Sequence, residues 1–396
     1  MKKRMFFFLG VLCSFGYYSC TKSAIKESGS VDQTDQIEQV ESSMRVADRG
    51  CGQPAGSNIF DPTCLVSPSA HGRLDTIQKG FGFTEGPAVD KWGNVFFTDQ
   101  PNDKIFRWDA GSGHVTLFLQ GTGRSNGMHF NKNGYLISCA DMHGELWRIS
   151  PNGNHTVLVN NYKGKLLNGP NDVWINPKTG GMYITDPMFP RGYWDANDPR
   201  KTGNPSWPPV YSEQGPGIAG HVYYLAPGSH HLIRVTSDTD PNWDAAHIFP
   251  NGIVGTPDGR KLYVNNWTGD ATGKIRIFDI KPNGNLSNMR TLVSNLRGCD
   301  GMSMDEKGNI YVSHAEGVTA FDKNGNRVFN VPCGFGNNRG ATNNVFAGRN
   351  EKTLFITGTA DRITSLKMNV KGVEKFDGHS GGWDGHGHGH GHGHDD

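Results

Sequence analysis

The sequence predicts an all-β chain folded as a six-bladed β-propeller, and three observations carry that prediction. Six segments of one pattern recur along the chain, at Glu85, Asn126, Asn171, Asn251, Asp300 and Asn343. Each reads as two short apolar strands joined by a turn, with alternation of period two. No stretch has the periodicity of a long amphipathic helix. The segments are EGPAVDKWGNVFFTD, NGMHFNKNGYLISCA, NDVWINPKTGGMYITD, NGIVGTPDGRKLYVNN, DGMSMDEKGNIYVSH and a worn copy, NNVFAGRNEKTLFITG. A third strand follows most of them, as KIFRWD, ELWRIS, HVYYLA, KIRIFDI or GVTAFDK. The segments start about every 45 residues, the length of a four-stranded blade. One interval is nearly double, and it holds an insertion at 188–220 rich in Pro, Gly, Asn and Trp.

Ahead of the repeats the chain reads as an address and a tether. Lys2, Lys3 and Arg4 precede an apolar run that ends near Phe15, as in a signal peptide too short to span a bilayer. The run closes at Ser19-Cys20, which resembles a lipobox with Tyr17 in place of the usual leucine, so Cys20 is the expected lipidated residue. Residues 21–43 are polar and too poor in apolar side chains to fold. The expected organisation is a leader over 1–20, a flexible linker over 21–50, a propeller over 51–378 and a tail over 379–396. The expected location is the cell envelope, with the membrane met only through the lipid. Export favours a disulfide between Cys51 and Cys64, which leaves Cys139, Cys299 and Cys333 as buried free thiols.

With a formal net charge of +1 the chain lacks the basic footprint of a nucleic-acid binder. The 54 glycines, without a three-residue period, suit a fold with many tight turns.

The chemistry converges at the heads of the repeats. Glu85, Asn126, Asn171, Asn251 and Asp300 each stand five residues before a turn-opening Asp90, Asn131, Asn176, Thr256 or Asp305. The first strand of a blade lines the central channel, so these side chains should ring one of its mouths. Oxygens of Glu, Asp and Asn without thiolate or imidazole suit a hard cation, Ca²⁺ or Mg²⁺. An Asn before Gly is also an ordinary turn residue, but Glu85 is a poor turn former, and a whole ring in register would otherwise be desolvated without partners.

The motifs TEGP (84–87), GPND (169–172), PNGI (250–253), CDGM (299–302), YITDP (183–187) and PDGRKLYV (257–264) resemble the gluconolactonase/regucalcin (SMP-30) family in order and spacing. The resemblance runs from about Asp75 to Leu366. It implies a metal-dependent hydrolase that opens small lactones, with Glu85, Asn171, Asn251 and Asp300 as metal ligands. It also makes Asp300 the general base and Asn126 a substrate contact. The implied cofactor is one divalent ion, Ca²⁺ ahead of Mg²⁺, Mn²⁺ or Zn²⁺.

Arg124 is the nearest candidate for a substrate-gripping arginine, and Trp194, with Trp207 and Tyr211, could stack on a sugar ring from the insertion or pin the loop. The expected partner is a small lactone or ester, and the expected state a monomer. Two other readings stay open: a phosphotriester or aryl-ester hydrolase on the same site, and a non-catalytic propeller that binds a glycan or a partner.

Asp99 and Asp186, at the ends of second strands, read as turn caps, and His143, His221, His247 and His314 as isolated, satisfied histidines. The closing Gly-His repeats from Gly385 can chelate Ni²⁺, Cu²⁺ or Zn²⁺ loosely.

Overall fold

The computed structural model describes residues 57–189, 220–237, 240, 243, 249–333, 340–359 and 361–374. The leader with Cys20, the linker, Cys51, Trp194, Trp207, Tyr211, His247 and the Gly-His tail lie outside them. Six four-stranded antiparallel sheets stand in a ring, as the repeats predict. Their innermost strands are Thr84–Val89, Ser125–Phe130, Val173–Ile175, Phe249–Gly255, Met302–Met304 and Ala341–Ala347, which open blades 1 to 6. Among the described residues no helix is long and apolar enough to cross a membrane.

Local chemistry explains each hairpin. Asp90 accepts hydrogen bonds at Oδ1 from the Trp92 and Asn94 amides and at Oδ2 from the Asn94 side chain. Asn131, Asn176 and Asp305 repeat the device, so the turn-opening residues act as the alignment predicts. Gly93 in the first turn has φ +86°, and a Cβ there would lie 2.2 Å from the Gly348 carbonyl oxygen. That turn is therefore closed to any side chain by both conformation and space.

The core lies between blades. Phe96 of blade 1 meets Phe130 of blade 2 edge-on at 5.1 Å, and Phe97 meets Phe355 of blade 6 at 5.7 Å.

Ring closure was not legible in the repeats. Blade 6 has three strands of its own, Ala341–Ala347, Thr353–Gly358 and Arg362–Lys367. Its fourth is Asp75–Lys79, from ahead of the first repeat, paired antiparallel with Arg362–Lys367. The two ends of the ring are thus hydrogen-bonded together, and blade 6 gains the outer strand that makes it four-stranded like the others. Outside this seam Val66 bridges Met368, and the Asp61 carboxylate accepts from the Leu65 and Val66 amides at 2.8 and 2.7 Å. Cys64 in the same segment is disulfide-bonded. Cys139, Cys299 and Cys333 are buried free thiols, as expected. Burial pushes Cys299 and Cys333 up to about 12 and Cys139 well above the usual thiol range.

Candidate functional site

Each innermost strand carries a β-bulge near its mouth end, or begins just past the corresponding place. In blade 1 Glu85 faces Thr98 while Ala88 faces Phe96, so one residue is extra on the inner strand. Blades 2, 4 and 6 show the same shift between Ser125 and Met128, Pro250 and Ile253, and Ala341 and Asn344. A bulge re-aims the side chains around it. Here it falls at the repeat heads.

Adjacent heads are tied together. The Gly127 amide of blade 2 donates to the Asn171 carbonyl of blade 3 at 2.6 Å, and Gly301 of blade 5 donates to Thr342 of blade 6 at 2.7 Å. This register corrects the alignment of the worn sixth copy by one residue. Thr342 takes the place equivalent to Asn171, and Asn343 falls level with Asp172.

Four of the five heads are buried: Glu85 is 4% exposed, Asn126 3%, Asn171 6% and Asn251 4%. Asp300 is half-buried. Glu85 Oε2 accepts from the Gly86 amide at 2.9 Å. Asn171 and Asn251 hold the ring through their main chains: Asn171 N donates to Thr185 O at 2.8 Å, and Asn251 O accepts from Thr185 Oγ1 at 2.8 Å. The side-chain amides of all three asparagines bond to nothing among the described residues, and Asn126 Oδ1 is fully enclosed without a partner. An enclosed amide oxygen left unpaired is costly, and it is met where a ligand completes it. The donor set, two carboxylates with amide oxygens, fits a hard divalent cation.

Asp300 is fixed at both ends of its peptide. Its amide donates to Ser313 O at 2.8 Å, and its carbonyl accepts from the Asn265 side chain. Asn265 Oδ1 in turn accepts from the Gly252 amide at 3.1 Å. Thr185 and Asn265, on second strands, thus position the heads of the following blades. Sequence reading missed both; their signal is the polar residue that ends each second apolar run.

Beneath the ring the channel narrows to a cavity of about 30 Å³, lined in part by Asp172, His129, Asn343 and Glu374. That is room for little more than a water molecule. Asp172 Oδ1 accepts from the Val173 amide at 2.8 Å. Burial pushes its carboxyl well above the usual range, and the nearby Glu85 charge pushes the same way.

Glu374 arrives from beyond the last blade. Glu306 N donates to Lys371 O, Gly372 bridges Asp305, and Met304 N donates to Glu374 Oε1 at 3.1 Å. Glu374 is half-buried as a residue, but its carboxyl end is desolvated and pushed well up. His129 is likewise half-buried with its ring desolvated, which lowers it to about 4. None of these channel groups stands out in the sequence, since only the tertiary fold brings them to the axis.

The remaining expectations divide. Arg124 sits on the rim of blade 2 with φ +49°, and its Nη1 donates to the Pro101 carbonyl at 2.6 Å. Asp99 and Asp186 are caps: Asp99 accepts from the Gly82 and Phe83 amides, and Asp186 from Asn168 and Gly169. His314 is held between Thr319 Oγ1 and the Glu316 amide, His221 meets Thr236 Oγ1 at 3.0 Å, and His143 stacks on Trp147.

Residues 83–360 match the family described as SMP-30/Gluconolactonase/LRE-like region. A gluconolactonase of Zymomonas mobilis subsp. mobilis is 28% identical over 312 residues, 72% of this chain and 79% of that protein. The solved gluconolactonase of Xanthomonas campestris, described as important in glucose secondary metabolic pathways, has a TM-score of 0.61 at 25% identity. It is matched over 80% of this chain and 98% of its own. A calcium-binding regucalcin of Agrobacterium tumefaciens has a TM-score of 0.56 at 16% identity, over 76% of this chain and 95% of its own, a likeness of fold.

Proposed function

Because the chain belongs to the SMP-30/gluconolactonase/LRE-like family, we propose that it hydrolyses small lactones at the mouth of its channel. The observation that carries this reading is the set of three buried amides, on Asn126, Asn171 and Asn251, whose side chains have no partner among the described residues, in register with Glu85 and Asp300. Glu85, Asn171, Asn251 and Asp300 are the residues that would hold a divalent ion, Ca²⁺ by donor hardness, whose contribution when bound is to polarise the lactone carbonyl.

The chain's own residues do the rest. The Asp300 carboxylate takes a proton from water as the water oxygen bonds to the carbonyl carbon. The ring C–O bond then breaks, and the proton passes to the departing alkoxide, giving a hydroxy acid. Asn265 and Ser313 keep the Asp300 main chain still while its carboxylate works. Asn126 Oδ1, enclosed and unpaired, accepts a hydrogen bond from a substrate hydroxyl. The same reading places the enzyme in the cell envelope, anchored through Cys20, on the strength of its leader. Loss of labelled palmitate in Cys20→Ala cells would be the check.

The test is lactone hydrolysis by the purified chain after chelation, then with Ca²⁺, Mg²⁺, Mn²⁺ or Zn²⁺ restored, beside Asp300→Asn. Turnover restored by metal and lost in a folded variant supports site and reaction together. Turnover on phosphotriesters or aryl esters alone moves the substrate class. Metal binding with no turnover on any ester leaves a binding propeller.

A further inference from the structure

The rim of the channel is not uniform. One step outward from the ring, blade 4 closes with the cross-strand pair Phe249 and Trp267. Phe189, just past the second strand of blade 3, stacks on Phe249 at 5.3 Å and meets Trp267 edge-on at 5.6 Å. The cluster is not a core: Phe189 and Phe249 are half-buried, and Trp267 is 36% exposed. Yet it lies beside the ring. Phe249 stands two residues before Asn251, and Thr185, four residues before Phe189, donates to the Asn251 carbonyl.

The same level differs on the other blades. Blade 1, across the ring from blade 4, has Gln100 beside Phe83. Blade 2 has Arg124 and the buried Asp141, which accepts from the Gln100 side chain at 3.1 Å. Blade 5 has only Gly298 and Ala315. The arc of blades 1 and 2 therefore sets one aromatic ring, Phe83, among the polar Gln100, Arg124 and Asp141. The arc of blade 4 is aromatic throughout, and blade 5, which carries Asp300, contributes small residues.

Resting on the lactonase reading, we propose that Phe189, Phe249 and Trp267 form an apolar subsite that receives a hydrocarbon substituent of the substrate. The preferred substrate is then an amphipathic lactone. Its polar ring faces Asn126 and blade 2, and its alkyl or aryl arm lies over blade 4. Solvent-exposed aromatic surface at a polar mouth gains most from covering an apolar arm. A fully hydroxylated lactone would leave that surface wet.

The experiment compares the full chain with Trp267→Ala and Trp267→Phe on two δ-lactones, one fully hydroxylated and one bearing an alkyl chain. The kcat/KM ratio of alkyl to hydroxylated substrate is expected to fall about tenfold in Trp267→Ala, through KM. Trp267→Phe should recover most of it. Equal effects on both substrates, or a wild-type preference for the hydroxylated lactone, overturn the proposal. Calorimetric binding of the matching alkyl δ-lactam, which resists hydrolysis, separates the two readings. If the wild type hydrolyses neither lactone but binds the lactam more tightly than Trp267→Ala does, the subsite stands and the lactonase reading falls. Equal lactam binding by wild type and Trp267→Ala overturns the subsite.

Discussion

Replacing Gly252 with alanine tests whether the bulge of blade 4 sets the position of Asp300. The glycine is not in a left-handed conformation, so the added methyl brings no backbone strain of its own. What it brings is a collision. Its Cβ would lie 2.2 Å from the Asp300 carbonyl oxygen and 2.9 Å from Asn265 Nδ2, the group that holds that carbonyl. Relief to an ordinary contact moves one backbone by about 1 Å. Overpacking of this kind costs about 1–3 kcal/mol of stability. A shift of about 1 Å in a catalytic group costs about 10²-fold in rate.

Denaturant unfolding and lactone kcat/KM should therefore both fall in Gly252→Ala. Gly228→Ala is the control. Gly228 has φ +74° with nothing within 4 Å, so it loses about 1–2 kcal/mol to left-handed strain while activity per folded molecule is kept. Gly252→Ala with wild-type kcat/KM at reduced stability would refute the idea that this contact positions Asp300.

Four other outcomes are expected. Asp300→Asn should lower kcat by about 10²–10⁴-fold without unfolding the chain, checked by kinetics beside circular dichroism. Added Ca²⁺ should stabilise the chelated protein by about 2.7 kcal/mol at a hundredfold excess over Kd, read as a rise in melting temperature. Asn171→Ala should abolish that rise.

The contribution of His129 to stability should also fall as pH drops from 6.5 towards 4. It falls against the gain from Asp172 and Glu374, whose raised carboxyls take up protons in the folded state. His129 titrates near 4 when folded and 6.5 when unfolded, so the unfolded chain binds the extra proton in that window. The loss is at most about 3 kcal/mol, read by urea unfolding as a wild-type stability that drops relative to that of His129→Gln across the window. Finally, Cys139, Cys299 and Cys333 should react with Ellman's reagent only after unfolding, because burial keeps all three as thiols.

The repeat pattern was enough to predict six blades, the Asx turns at Asp90, Asn131, Asn176 and Asp305, and the heads of five innermost strands. Those features are local. A strand of period two and a polar turn residue declare themselves within a dozen residues, and repetition reveals which positions are equivalent. The sixth copy was placed one residue out because its turn is irregular, and only the bond from Gly301 to Thr342 fixes its register.

Other features depend on contacts between distant parts of the chain. Asp75–Lys79 closes the ring by pairing with a strand nearly three hundred residues away. Glu374 lines the same channel cavity as Asp172, and Phe189, Phe249 and Trp267 meet from two blades. Nothing in their neighbours' chemistry foretells these meetings, because a propeller's axis and rim exist only after the blades have packed. The sequence by itself determined what each blade is made of. The tertiary structure decided which residues share the channel with Asp300, since hydrogen bonds between blades, and not the pattern within one, set the height of each strand on the axis.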